Sequence, residues 1–165
     1  MTIKRTIRHL LTGQRQVKAT FPDHVLRTIE LTIRTSEASH AGEIRFSVED
    51  ALDGAALFKG QTSRERAIEL FSQLRIWDTE HNNGMLIYLL LADRAVEIIA
   101  DRGIHAKVGL EVWSKICRQM ESDFKQSNYE SGVVTGVQAI TLHLATHFPA
   151  GGVNSNELPD KAVLV

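Results

Sequence analysis

Glu37, His40 and Glu43 recur three residues apart in the stretch Ser36-Glu37-Ala38-Ser39-His40-Ala41-Gly42-Glu43. Further on come Thr79, His81, Asn82 and Asn83, and then Asp101, Arg102 and His105. Carboxylates and amide carbonyls suit hard cations such as calcium, magnesium or manganese. An added imidazole tilts the choice toward manganese or zinc. Arg45 and Arg102 carry guanidinium groups, which match the geometry of a phosphate. The spacing Glu37-x-x-His40-x-x-Glu43 is not a metal motif by itself, so the reading depends on whether distant parts of the chain bring these residues together.

Strand direction decides that. Glu43 to Val48 alternates strictly, with Ile44, Phe46 and Val48 on one side and Glu43, Arg45 and Ser47 on the other, as a half-buried strand does. A loop from Glu49 to Gly60 and a helix from about Ser63 to Ile76 follow, with Ala67, Leu70, Phe71 and Leu74 as its apolar face. Asn82-Asn83-Gly84 is a turn signal. Met85 to Leu91 is apolar throughout, as in a central strand buried on both faces. Ala92-Asp93-Arg94 reverses the chain, and Ala95 to Ala100 returns as an antiparallel partner. The first strand starts at Glu43, the parallel second just after Asn83-Gly84, and the antiparallel third ends at Asp101-Arg102. All three points fall on one edge of the sheet, together with the loop carrying Glu37 and His40.

Each of these residues also has an ordinary structural use. Glu43 can be a solvated strand residue, Asn82-Asn83-Gly84 turn chemistry, and Asp101 a cap of the next turn. The histidines can be surface residues.

The remaining elements must position that edge. Asp23 reads as an N-cap before a helix with Val25, Leu26, Ile29 and Ile33 on one side. Two helices, about Leu110 to Gln126 and Ser131 to His147, close the domain, with Gly132 and Gly136 permitting close packing. The resulting class is α/β: a three-layer α/β/α sandwich around a small mixed sheet, Rossmann-like, with an extra N-terminal helix. The organisation is an amphipathic helix over 1–20, the domain over 21–149 and a Gly- and Asn-rich tail over 150–165, expected to be mobile.

In the N-terminal segment Ile3, Ile7, Leu10, Leu11, Gln14 and Val17 share helical spacing. The other side is basic (Lys4, Arg5, Arg8, Arg15, Lys18), with no acidic residue before Asp23 and a weak point at Gly13. The expectation is a helix packed on the domain through its apolar side. Weak contact with a membrane surface or an anionic partner is the alternative.

The 165 residues carry a formal net charge of -1, so no global field draws nucleic acid or an anionic membrane. The single cysteine, Cys117, rules out an internal disulfide and reads as a core residue of its helix. There is no GxSxG elbow, Walker loop or GxGxxG. No apolar run approaches the ~20 residues of a membrane span. A cytoplasmic protein is expected.

Several separate stretches resemble the TPM-domain family. They are Ser36 to Phe46, then Asn83-Gly84-Met85-Leu86-Ile87-Tyr88, then Asp101-Arg102-Gly103-Ile104-His105. Phe124 to Gly132 with Tyr129, and the tail Asn156-Glu157-Leu158-Pro159-Asp160, complete a match from about Phe21 to Pro159. The resemblance implies an α/β/α domain and a cleft for calcium or another divalent metal. It also implies a phosphatase activity proposed for some members, while others are assembly or accessory proteins. Many relatives have a glycine-centred turn where this chain has Asp101-Arg102-Gly103.

Two functions are therefore expected in competition. In one, Glu37, Glu43 and Asp101, completed by Asn83 and His40, hold a divalent ion. Glu43 and Asp101 with Arg45 and Arg102 then hydrolyse a phosphoric monoester. In the other, the same cleft binds calcium or a protein partner without catalysis.

Overall fold

β1 (Glu43–Glu49) and β2 (Gly84–Leu90) pair in parallel, with Glu43 opposite Gly84 and Glu49 opposite Leu90. A reversal at 91–94, with Arg94 at φ 54°, leads into β3 (Ala95–Ala100), antiparallel to β2. The short β4 (Val163–Leu164) pairs in parallel with the other side of β1, giving the order β3-β2-β1-β4. The computed structural model describes residues 3–151 and 156–165.

Helices α1 (Ile3–Leu11), α2 (Gln14–Thr20) and α3 (Asp23–Ser36) precede the sheet, and a 3-10 turn at Glu37–Ser39 leads into it. Helices α4 (Gly54–Phe58) and α5 (Ser63–Gln73) join β1 to β2. After β3 come α6 (Arg102–Val108), α7 (Leu110–Lys125) and α8 (Tyr129–His147).

Alternation along the strands divides the core in two. Ile44, Phe46, Val48, Met85, Ile87 and Leu89 join Ile29, Ile33, Trp113, Met120, Val137 and Ile140 on the side of α3, α7 and α8. Leu86, Tyr88, Leu90 and Ile99 pack with Leu57, Leu70 and Phe71 on the side of α4 and α5. The expected three-layer α/β/α arrangement is the one the chain adopts. As expected, the glycines of α8 bring it close to α7: a Cβ on Gly136 would lie 2.5 Å from Met120 Sδ.

Several local expectations are corrected. β1 is not half-buried: all seven residues are buried, including Glu43, Arg45 and Ser47. The reason is cover from two directions, α4 and α5 over one face and the C-terminal segment along the outer edge. The loop after Glu49 contains α4, because Asp53 accepts a hydrogen bond of 2.8 Å from the Ala56 N–H and so caps a short helix. α5 is capped by Thr62, whose side chain and Glu65 form a reciprocal capping box. Asp23 is the first residue of α3 rather than its cap, and Pro22 occupies the cap position.

Two further corrections concern the ends of the chain. Residues 156–165 are packed, not a loose tail. Glu157 and Leu158 donate their N–H groups to Glu43, Ala162 N–H donates to Glu30, and β4 joins the sheet. Residues 152–155, which hold part of the Gly- and Asn-rich run, lie outside the described residues, as do residues 1 and 2. At the other end α1 is docked the opposite way round from expectation. Its polar side faces the domain, and Ile3, Ile7, Leu10 and Leu11 are exposed. His9 is the buried residue of the helix, because Asp93 and the Leu52 N–H satisfy its ring.

One glycine tests how tightly the second layer is fitted. A Cβ on Gly84 would run into the backbone carbonyl of Ile76, where the chain leaves α5 for β2. Gly84→Ala is expected to lose about 3 kcal/mol of stability in urea unfolding. A loss well under 1 kcal/mol would mean that the α5–β2 connection yields freely.

Candidate functional site

The edge from which β1 and β2 start is where the candidate residues lie, in two groups. The first surrounds β1. Glu43 is 1 % exposed, and its carboxylate oxygens accept from Glu157 N–H at 3.1 Å and Leu158 N–H at 3.2 Å. A hydrogen bond to a charged group is worth about 1.5–3 kcal/mol, so Glu43 pins the C-terminal segment. Burial is the main influence raising its pKa. The charges of Glu157 and Asp160 add to it, and the two N–H donors oppose it.

Glu37 comes next to Glu43 and Asp160. Burial first, then the charge of Glu43, then Asp160, push its carboxyl up to about 8, against a smaller opposing effect of the Ile44 N–H. It keeps its proton at neutral pH. Its Oε1 is buried with no hydrogen-bond partner. Asp160, buried, is held by Arg34 Nε at 3.0 Å and Asn156 Nδ2 at 2.9 Å. Arg45, two residues along β1, is also buried, and its Nε and Nη1 have no partner. Burial lowers its pKa, and Asp160 acts in the other direction.

The second group lies at the β2–β3 end. Asn83 is fully buried; its Nδ2 donates to the Ala41 carbonyl at 2.8 Å, its N–H to Thr79 Oγ1 at 3.2 Å, and its Oδ1 has no partner. Asn82 adopts φ 52°, the turn role open to it from the sequence. Asp101 is the cap of α6, accepting from the Arg102 N–H at 2.7 Å through Oδ1, while its Oδ2 is buried without a partner. Arg102 is exposed and donates from Nε to Asn82 Oδ1 at 2.8 Å. His81 and His105 are exposed. His40 is fully buried, forms a bridge with Pro149, and has its pKa lowered by burial, with the Gly42 backbone opposing.

The structure thus gathers Glu37, Glu43 and Arg45 around Asp160, and places Asn83, Asp101 and Arg102 at the neighbouring strand ends. Asn83 links the two through Ala41, which precedes β1. Among the described residues no group of three or more His, Cys, Asp or Glu side chains is drawn together as a metal shell. Asp160 and Glu157 were not among the sequence candidates. The signal for them was the acidic stretch Asn156 to Asp160, too polar for a buried element yet unlike the Gly-rich run before it.

At the far end of β1, Glu49 takes a 2.6 Å hydrogen bond from the Tyr88 hydroxyl and an ion pair of 2.9 Å from Arg66, beside an open cleft of about 470 Å³. Burial pushes the thiol of the half-buried Cys117 up to about 12, far from a reactive thiolate.

A family model for the TPM domain matches residues 17–142. Among solved structures, the NMR structure of the BA42 protein from the psychrophilic bacterium Bizionia argentinensis is similar at 28 % identity. It has a TM-score of 0.76 and covers 86 % of this chain and 93 % of its own. The N-terminal domain of a protein from P. gingivalis shares the fold at 22 % identity and a TM-score of 0.58, covering 73 % of this chain and 76 % of that one. No curated protein matches.

Two outcomes are expected from this geometry. Glu37 binds its proton more tightly folded than unfolded, so the native state holds the extra proton between pH 4.5 and about 8. Stability therefore falls as pH rises through that window. Glu37→Gln, which keeps a donor toward Asp160, should flatten this part of the profile of unfolding temperature against pH. An unchanged slope would remove Glu37 as its source. Glu43→Ala should cost about 2 kcal/mol and speed amide exchange at Glu157 and Leu158; exchange as slow as in the parent would show that Glu43 does not hold the segment.

Proposed function

The chain belongs to the TPM-domain family, and from that premise we propose that it binds a hard divalent cation (calcium, magnesium or manganese) at this sheet edge. One observation supports the reading. Glu37 Oε1, Asn83 Oδ1 and Asp101 Oδ2 are buried acceptors without a hydrogen-bond partner. Each such atom costs about 1–3 kcal/mol, and a cation offers what no protein donor there supplies. Carboxylate and amide oxygens are the donors these ions prefer. Glu37, Asn83 and Asp101 would hold the ion. Glu43 would contribute through lone pairs not used by the C-terminal segment, with His40 beside them. Because Glu37 carries a proton at neutral pH, uptake of the ion would release it, and binding would weaken below neutrality.

A second reading is favoured by Arg45, whose buried Nε and Nη1 lack any acceptor. A phosphoryl group would supply one. In that reading the domain is a metal-dependent phosphoric monoester hydrolase. Arg45 holds phosphoryl oxygens with Arg102, and Glu43 and Asp101 stay with the ion. A bound ion would polarise the phosphoryl group and make a water acidic enough to attack. Without turnover, the same edge serves a binding module whose partner is recognised through the ion.

Thermal unfolding of chelator-treated protein, with and without each ion, tests the first reading. At a hundred times the dissociation constant, a ligand specific for the native state adds about 2.7 kcal/mol. Asp101→Asn, which preserves the helix cap, and Glu37→Gln should both reduce that gain. No shift with any ion would remove the metal. Metal-dependent release of p-nitrophenol from p-nitrophenyl phosphate, lost in Arg45→Met, would choose the hydrolase; a retained metal shift without turnover would choose the module.

A further inference from the structure

We propose that α1 seats the protein on an anionic lipid bilayer surface. The inference is independent of the cation reading. α1 is docked on the domain through its polar side. Arg5 Nε donates to Asp93 Oδ2 at 2.9 Å and its Nη2 to the Gln61 carbonyl at 2.8 Å. His9 Nε2 lies 3.1 Å from Asp93 Oδ1, and its Nδ1 accepts from the Leu52 N–H at 3.0 Å. These bonds fix one side of the helix to the domain.

The opposite side is apolar and open. At about 100° per residue, Ile3, Ile7, Leu10 and Leu11 fall within an arc of about 100°, and Arg5 and His9 sit across from it. Those four side chains are 80, 50, 77 and 80 % exposed. Four aliphatic side chains on one short helix are seldom left in water without a use.

Charge names the occupant. Lys4 borders the stripe, Arg8 lies between it and the docked side, half exposed and 3.5 Å from Asp93, and Arg15 and Lys18 of α2 are exposed just beyond. No Asp or Glu occurs before Asp23, although the whole chain carries a net charge of only -1. An apolar stripe bordered by cations is the pattern that lies in the interface of an anionic bilayer, aliphatic groups among the acyl chains and cations at the headgroups. A second copy of the chain fits less well. It would bring cations against cations, and a helix about 13 Å long offers far less than the roughly 800 Å² per partner of a stable interface. A convex stripe also gives a folded partner little shape to read, whereas a bilayer requires none.

Co-sedimentation of the whole chain with vesicles tests this. One set contains phosphatidylcholine alone, the other includes about a third phosphatidylserine, a level at which each cation near the surface is worth about fivefold in binding. Binding is expected to the second set only, weakening with salt. Lys4→Ser with Lys18→Ser should reduce it by an order of magnitude or more. Ile7→Asp with Leu10→Asp should abolish it at an unchanged unfolding temperature, since both positions are exposed; Leu10→Gln with Leu11→Gln gives the same readout without a new charge. Equal binding to both sets, no binding, or full binding by the apolar-stripe variants would overturn the proposal. So would a concentration-dependent dimer that Ile7→Asp with Leu10→Asp dissolves while the parent ignores vesicles, which would assign the stripe to a second copy.

Discussion

The polar side of β1 is buried, and much of the rest of the structure is a response to that. Glu43, Arg45, Ser47 and Glu49 all face inward on the α4 and α5 side. A buried carboxylate or hydroxyl must be given a partner or leave the core. Glu49 receives Tyr88 from the next strand and Arg66 from α5. Ser47 donates to the Val163 carbonyl at 3.2 Å, and Glu43 takes two N–H groups from the segment before β4. The C-terminal segment is thus tied down by polar bonds as well as by Leu158, Ala162 and Val165 packed against the core, and Arg45 is the member of the row whose Nε and Nη1 are left unanswered.

How much of this was legible depended on distance along the chain. The β1, β2 and β3 strands, the parallel pairing and the reversal at 91–94 follow from alternation and turn chemistry within a few residues, and they came out as expected. So did the gathering of Glu37, Glu43, Asn83 and Asp101 at one edge, which needs strand direction alone. The burial of Glu43 did not, because its donors come 114 and 115 residues later. Strict polar and apolar alternation reports one apolar face; it cannot report that the polar face will be covered by α4 and α5 and its edge by a distant segment. The pattern of α1 has the same ambiguity. Periodicity shows that a helix has two sides, and here a buried histidine with two specific partners, rather than apolar area, decided which side docks.

The candidate site shows where topology ends and side-chain geometry begins. Shared position on an edge did not make a ready coordination shell. It made two neighbouring polar groups, one organised by Asp160 and the other by the cap of α6, with buried oxygen atoms left over in each. Asp101 illustrates both uses at once: one oxygen performs the ordinary work of starting a helix, and the other remains open. The structural and functional readings of such a residue are not exclusive, and the sequence could not have divided the atoms between them.

β1 and β2 run from that acidic edge to the end where Leu52, Gln61 and Asp93 clasp α1. Seven residues of strand span about 20 Å. The two chemistries of the molecule therefore stand at opposite poles of the sheet, separated by more than two Debye lengths at physiological ionic strength, about 8 Å each. Charge beside α1 reaches Glu37 and Asp160 only across that distance, and along the solvent path salt weakens it further. The sheet is a spacer: the proton affinity of the acidic pole is set inside the domain, by burial and by the carboxylates gathered there.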